Sequence, residues 1–135
     1  MSRSILVKDY MIQQPPKVKC STPISEVIDT LIKNNVSGAP VVDEENTVIG
    51  YVSEQDCIHQ VLVDSYYCEL TTVVNDVMRE DVVTVSPKDS IIDLANQMHD
   101  NKPKHFPVVE AGKLVGLIRR TDILRALATE MKACR

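Results

Sequence analysis

The stretch "GYVSEQD" at residues 50–56 occurs a second time in this chain as "GLIRRTD" at residues 116–122. Each copy starts with glycine, continues with two apolar residues, and places an aspartate six positions after the glycine. The copies lie 66 residues apart in a chain of 135 residues, the length of one ordinary domain or of two small units that share a core. A repeat at this spacing indicates that one structural unit is present twice.

The repeat extends well beyond these two stretches. The segment "PVV" at residues 40–42 returns at residues 107–109, at an offset of 67 residues. The offset becomes 66 after one deletion in a turn, which brings the two glycines and the two aspartates into register. Further pairs at the offset of 67 are Val7 with Val74, Asp9 with Asp76, Met11 with Met78, Val18 with Val85, Ile24 with Ile91 and Asn34 with Asn101.

Each copy predicts the same order of elements, β-α-β-β-α. The segments "PKVKC" and "VVTVS" are strand-like, and apolar residues at helical spacing from Ile24 and from Ile91 predict an amphipathic helix. Two valine-rich segments joined by a polar turn then predict a hairpin, "APVVD–EEN–TVIGYV" and "FPVVE–AG–KLVGLI". A second helix starts near Ser53 or Arg120. Its predicted apolar residues are Cys57, Ile58, Val61 and Leu62 in copy one, and Ile123, Leu124, Leu127 and Met131 in copy two.

These patterns predict a mixed α/β fold with two tandem repeats related by pseudo-twofold symmetry. We expect the sheets to pack together, since one unit alone is small for its own core. The predicted domains are repeat one at residues 1–64, with the short N-terminal helix "VKDYM", and repeat two at residues 65–135, which begins with a linker helix.

Composition excludes several classes of protein. The net charge of −4 argues against a sequence-independent nucleic-acid binder, which needs a basic face. No apolar run is long enough to span a membrane, and no signal peptide is evident, so a cytoplasmic location is expected. No Cys/His cluster has zinc spacing, so no metal site is predicted. The four cysteines are interpreted as reduced thiols: Cys20, Cys57, Cys68 and Cys134.

The order V-x-D-x-M, amphipathic helix, P-V-V-[DE], glycine and aspartate, written twice, resembles the CBS domain, named after cystathionine beta-synthase. Two tandem copies resemble a stand-alone Bateman module, and the resemblance covers roughly residues 5–131. It implies a homodimeric regulatory module that needs no cofactor and controls an unknown protein. The implied ligand is AMP, ADP or ATP, with NAD or S-adenosylmethionine as further candidates, bound in the cleft between the repeats.

Two roles are open for Asp56 and Asp122. A carboxylate accepts hydrogen bonds from both hydroxyls of a ribose, and the resemblance implies this role for the aspartate of each repeat. The sequence Ser53-Glu54-Gln55-Asp56 also fits a helix capping box, and an acid in the first turn is stabilised by the helix dipole. The two roles are compatible with each other.

The resemblance implies two unequal pockets. In pocket A the small polar and apolar residues of copy one suit an adenine, and basic residues suit phosphate, although Arg119 replaces the usual Ser or Thr. The alternative is that Lys104, Arg119 and Arg120 are ordinary solvated charges. We expect pocket A to bind a phosphorylated nucleotide. Its residues are Thr22, Val27, Val36, Ser37, Pro40, Lys104, His105, Arg119 and Asp122.

Pocket B combines an intact Ser and Asp pair for ribose with an acid, Asp89, where the resemblance expects a small hydroxyl residue. Lys104 fits either pocket. The residues of pocket B are Ser53, Asp56, Asp89, Leu94, Pro103 and Lys104. Of the three histidines, His59 and His99 are expected to face solvent.

Three classes of function follow from these patterns. The first is the adenine-nucleotide sensor, in which ligand binding shifts the population of conformations. The second is an interaction or dimerisation module without a natural small ligand, which the departures at Arg119 and Asp89 favour. The third is an enzyme. We predict that the chain is not an enzyme, because it has no Ser-His-Asp order, glycine-rich phosphate loop or metal-ligand cluster.

Overall fold

Each of the two repeats contains a β-hairpin that is followed by a helix. The structure is a computed structural model and describes residues 5–68, 71–98 and 105–133. The predicted mixed α/β class with two repeats is confirmed. In chain order the elements are α1 (Val7–Tyr10), β1 (Ile12–Gln13), α2 (Ile24–Asn34), β2 (Gly38–Val42), β3 (Val48–Ser53), α3 (Glu54–Tyr67), a 3-10 helix (Val74–Asp76), α4 (Ile91–Asn96), β4 (His105–Glu110), β5 (Lys113–Arg119) and α5 (Arg120–Ala133).

The chain divides into two compact units that differ from the repeats in sequence. The first-repeat unit is Pro16–Val82, and the second-repeat unit is Val83–Arg135 together with Met1–Pro15. The segment "VKDYM", which the sequence analysis assigned to repeat one, therefore belongs to the unit that contains repeat two. The repeat boundaries at residues 1–64 and 65–135 stay a prediction about the sequence, whereas these units describe the packing.

Glycine and methionine explain why each leading segment packs where it does. In the first-repeat unit, a Cβ atom on Gly50 would lie 2.7 Å from Met78 Sδ and 2.9 Å from the carbonyl oxygen of Arg79. In the second-repeat unit, a Cβ atom on Gly116 would meet Met11 Sδ. Because glycine has no side chain, the segment V-x-D-x-M can come close to β3 in one unit and to β5 in the other. In each unit, the methionine of this segment packs against the glycine of the strand.

The first-repeat unit is built on the antiparallel pair β2–β3, in which Gly38 pairs with Ser53. Helix α2 buries Ile24, Val27 and Leu31, which confirms most of the predicted apolar stripe, whereas Ile32 is 73% exposed. The helix ends where Asn35 adopts the left-handed conformation. The predicted strand "PKVKC" is reduced to a single parallel bridge between Val18 and Val41.

The second-repeat unit contains a three-stranded antiparallel sheet in the order β1-β5-β4. Helix α4 is short: it ends at Asn96, before Met98. The segment "VVTVS" again forms one bridge, between Val85 and Val108. The core of this unit is formed by Ile5, Val7, Ile91, Leu94, Phe106, Val108, Ile118, Ile123 and Ala126.

The predicted apolar faces of α3 and α5 are only partly correct. Cys57 and Ile123 are buried, but Ile58, Leu62, Leu124 and Met131 are each more than 60% exposed. Neighbours in sequence lie about 100° apart around a helix, so a helix that buries Cys57 turns Ile58 away from the same contact. No helix in the described ranges is long and apolar enough to cross a lipid bilayer.

Candidate functional site

The two repeated aspartates occupy equivalent places, each in the first turn of a helix that directly follows a strand. Ser53 ends β3 and Asp56 lies in the first turn of α3, whereas Arg119 ends β5 and Asp122 lies in the first turn of α5. In both repeats the backbone N–H at the strand end donates to the Oδ2 atom of the aspartate, at 3.1 Å for Ser53 and 2.9 Å for Arg119. The other hydrogen-bond partners of the two carboxylates, and their exposure to solvent, differ.

Asp56 forms the predicted capping box. Its backbone N–H donates to Ser53 Oγ at 3.1 Å, and the Ser53 hydroxyl donates to Asp56 Oδ2 at 2.9 Å. The other oxygen, Oδ1, accepts from Arg79 Nη2 at 3.3 Å. The Arg79 side chain is 64% exposed and the Asp56 side chain 16% exposed, so this carboxylate is in part open to solvent.

Asp122 is enclosed by arginine. Arg119 Nε donates to Oδ2 at 3.0 Å and Arg119 Nη2 donates to Oδ1 at 2.9 Å, which is a two-point guanidinium–carboxylate contact. Arg125 Nη1 adds a contact to Oδ1 at 3.2 Å, and the Asp122 side chain is 2% exposed. The interpretation of Arg119 as a solvated charge is therefore wrong, because its guanidinium is paired with Asp122.

The pKa of Asp122 reflects this enclosure. Burial by itself raises the pKa of the carboxyl group, but the hydrogen bonds and positive charge of Arg119, with a further bond from Arg125, outweigh burial and hold the pKa below its ordinary value. The hydrogen bond to Asp122 raises the pKa of Arg119. Both groups are therefore charged at neutral pH.

The strands opposite the two strand ends carry side chains of different size. Gly38 pairs with Ser53 in β2–β3, and His105 pairs with Arg119 in β4–β5. His105 is buried, so it is a residue of the interior of its unit. The two repeats thus have small residues at one of these equivalent places and large ones at the other.

Thr22 and Asp89, the predicted base-side residues that differ between the pockets, make the same hydrogen bond. Thr22 Oγ1 accepts from the backbone N–H of Lys19 at 3.0 Å, and Asp89 Oδ2 accepts from the backbone N–H of Ser86 at 2.8 Å. Both side chains therefore close a turn before a helix. The three-residue spacing of an oxygen-bearing side chain was a signal for this role that the sequence analysis missed.

The remaining predicted site residues divide into three groups. Val27, Val36, Pro40 and Leu94 are buried, and Ser37 is half-buried. Arg120 is exposed at the start of α5. Pro103 and Lys104 lie outside the described part of the chain, as do His99 and Cys134, which were not predicted site residues.

The described cysteines Cys20, Cys57 and Cys68 are free thiols. Burial, together with the negative charge of Asp56, raises the pKa of the Cys57 thiol. Arg79, which contacts Asp56, was absent from the predicted site. It follows Met78 in the repeated leading segment and is 23 residues from its partner, so its position depends on the packing of that segment against β3.

The same two repeats are found by comparison with known proteins. The family model of the CBS domain matches residues 7–63 and again residues 74–129, so each match contains one of the two aspartates. The chain belongs to the CBS domain family. The predicted resemblance is thereby confirmed, and the two matches together cover most of this tandem CBS pair.

Relatives of this CBS pair include proteins from archaea and a plant. It is 33% identical over 124 residues to the uncharacterized protein MJ1225 of Methanocaldococcus jannaschii, covering 92% of this chain and 43% of that protein. It is 28% identical over 122 residues to an uncharacterized 33.4 kDa protein of Thermofilum pendens, covering 90% of this chain and 39% of that protein. The CBS pair thus spans less than half of either relative.

A solved structure of CBSX2 in complex with AMP has the same fold. It is 31% identical to this chain, superposes with a TM-score of 0.79, and the match covers 94% of this chain and 98% of the CBSX2 chain. A second structure of CBSX2, from Arabidopsis thaliana, gives a TM-score of 0.80 at 28% identity, with coverage of 96% and 99%.

Proposed function

We propose that this CBS pair is a regulatory module that binds an adenosine-containing nucleotide and that Ser53 and Asp56 hold its ribose. The observation that carries the proposal is the partly open carboxylate of Asp56, whose Oδ1 atom accepts, among the described residues, from the exposed Arg79 alone. The complex of CBSX2 with AMP, a protein 31% identical to this chain, supports an adenosine ligand.

The chemistry of this site suits a ribose. The two neighbouring hydroxyl groups of a ribose can each donate a hydrogen bond to one oxygen of a carboxylate. A carboxylate has about four lone-pair positions that accept such bonds. The Ser53 hydroxyl, which now donates to Asp56 Oδ2 at 2.9 Å, can rotate and leave that lone pair to the ligand. Arg79, 3.3 Å from Oδ1, then supplies a cation for the phosphate of the same ligand.

Pocket B is thus the proposed nucleotide site, whereas the sequence predicted that pocket A binds the phosphorylated nucleotide. The reason is the guanidinium of Arg119, which already fills the Asp122 carboxylate. The contribution of Asp89, Leu94, Pro103 and Lys104 to the base side of pocket B stays a prediction. Binding of another ligand group at the residues of pocket A also stays a prediction.

We also propose that the chain controls another protein and has no catalytic activity of its own. AMP, ADP and ATP are the preferred ligands, and NAD and S-adenosylmethionine are alternatives. A cytoplasmic location stays a prediction from the sequence.

Calorimetric titration with AMP, ADP, ATP, NAD and S-adenosylmethionine tests the ligand. We expect at least one of them to bind the wild-type chain and not Asp56→Ala. Asp76→Ala is the matched control, because Asp76 Oδ2 also caps a helical turn of the same unit, at 3.2 Å from the Val73 N–H. Ligand at 100 times its dissociation constant should add about 2.7 kcal/mol to the free energy of unfolding. No binding by any of the five compounds would reject the sensor.

The second candidate function is an interaction or dimerisation module, and α3 carries the observation that favours it. Ile58, Leu62 and Tyr66 follow one another at four-residue spacing and are 61%, 67% and 82% exposed. Such a stripe is typical of a helix that meets another protein surface. We propose that it contributes to a homodimer. Sedimentation velocity should then show a dimer for wild type and a monomer for Leu62→Glu, and equal sedimentation of both would contradict this.

A further inference from the structure

We propose that the Arg119 side chain occupies the Asp122 carboxylate in place of a ribose, so that the chain binds one adenosine nucleotide at Asp56 and none at Asp122. This inference rests on the proposed function and adds its stoichiometry and the residue that sets it. The two aspartates are equivalent in sequence and in fold, and the difference between them is the side chain at the strand end: serine in β3 and arginine in β5.

Counting acceptor positions separates the two carboxylates. Asp122 receives four contacts, two on each oxygen: Arg119 N and Nε on Oδ2, and Arg119 Nη2 and Arg125 Nη1 on Oδ1. These fill the lone-pair positions of a carboxylate. Asp56 receives two contacts on Oδ2, from the backbone and hydroxyl of Ser53, and among the described residues one on Oδ1.

The type of donor makes the occupation of Asp122 hard to reverse. A ribose offers neutral hydroxyls, whereas the guanidinium of Arg119 makes two charge-assisted hydrogen bonds in a planar fork. A ligand that displaced Arg119 would have to break both of these bonds to a carboxylate whose side chain is 2% exposed. At Asp56 the competing cation is the exposed Arg79, held by one contact of 3.3 Å, which a ligand replaces more readily.

The substitution Arg119→Ser should open the second site. The new serine would give Asp122 the donors that Asp56 now has: a backbone N–H, a hydroxyl and one exposed arginine on Oδ1. Arg125 would be that arginine, at 3.2 Å and 55% exposed, just as Arg79 is at Asp56. A second site should therefore appear without any change to the first.

Equilibrium dialysis with labelled AMP tests this by the number of nucleotides bound per chain. We expect one for wild type, two for Arg119→Ser, and one again when Asp122→Asn is added to Arg119→Ser. Lys113→Ser is the matched control, since it removes the same charge from the other end of β5, about 20 Å away, and should leave one. The reciprocal variant Ser53→Arg should fold, as judged by its thermal transition, and lose AMP.

The outcomes separate this inference from the function on which it rests. Two AMP per wild-type chain, or one per chain of Arg119→Ser, would overturn the role of Arg119 while the sensor stands. No AMP on wild type would reject AMP sensing. If wild type binds no AMP, one AMP per chain of Arg119→Ser would still support a closed second site, and no AMP on Arg119→Ser would overturn the role of Arg119. If Arg119→Ser does not fold, retained binding by folded Ser53→Arg overturns the inference and lost binding supports it.

Discussion

Replacing Asp122 with alanine should destabilise the protein more than the equivalent change at Asp56. We expect a loss of about 2–4 kcal/mol in the free energy of unfolding for Asp122→Ala. For Asp56→Ala we expect a loss of about 1 kcal/mol. The two substitutions are chemically identical and occur at equivalent positions, so each is the matched control of the other.

The magnitudes follow from the partners of each carboxylate. Each aspartate accepts from the backbone N–H at its strand end, and loss of such a cap costs about 1 kcal/mol. Breaking a buried ion pair adds about 3–5 kcal/mol when the remaining charge is left without water. We lower this range for Asp122, because the side chains of Arg119 and Arg125 are 26% and 55% exposed and can reach solvent. The Arg79 pair is exposed, so it adds little.

Urea unfolding at pH 7, followed by circular dichroism, measures the difference. The midpoint of Asp122→Ala should fall clearly below that of Asp56→Ala, with similar slopes for both. Equal midpoints, or a larger loss for Asp56→Ala, would refute the conclusion that Asp122 is a buried structural carboxylate.

Three further predictions concern pH, close packing and thiol chemistry. The pKa of Asp122 is lowered in the folded protein. The contribution of its carboxylate to stability is therefore present above the unfolded pKa of about 3.9 and is lost as the pH falls through the folded pKa. The difference in the free energy of unfolding between wild type and Asp122→Asn should shrink below about pH 4. Gly116→Ala should cost about 1–3 kcal/mol by urea unfolding, since its Cβ would meet Met11 Sδ, and a cost near zero would contradict this contact. In the folded protein an aromatic disulfide reagent should label the exposed Cys68 faster than Cys57, which is 2% exposed and has a raised thiol pKa; equal rates would contradict the burial of Cys57.

The sequence was sufficient to predict what depends on local pattern. The apolar stripe of α2 and both hairpins follow from the spacing and valine content of their segments, and the capping box of α3 follows from Ser53 and Asp56. The family could be predicted because several local signals recur in one order at one offset. Each signal alone is weak, and the repetition makes them specific.

What the sequence did not predict depends on contacts between distant segments. That Met11 packs against Gly116, and Met78 against Gly50, is a choice of partner that periodicity does not encode. Helical spacing likewise identifies an apolar stripe on α3 without saying whether Ile58 faces the core or solvent. The contact of Arg119 with Asp122 was within reach, because a residue just before a helix lies beside the third residue of that helix, as Ser53 lies beside Asp56.

A crystal structure of the chain grown with AMP tests the central claim most directly. The account predicts one AMP per chain, with ribose hydroxyl oxygens within about 2.5–3.0 Å of the Asp56 carboxylate oxygens, and the contact between Arg119 and Asp122 unbroken. A ribose bound to Asp122 with Arg119 displaced, or AMP bound with its ribose away from Asp56, would contradict it.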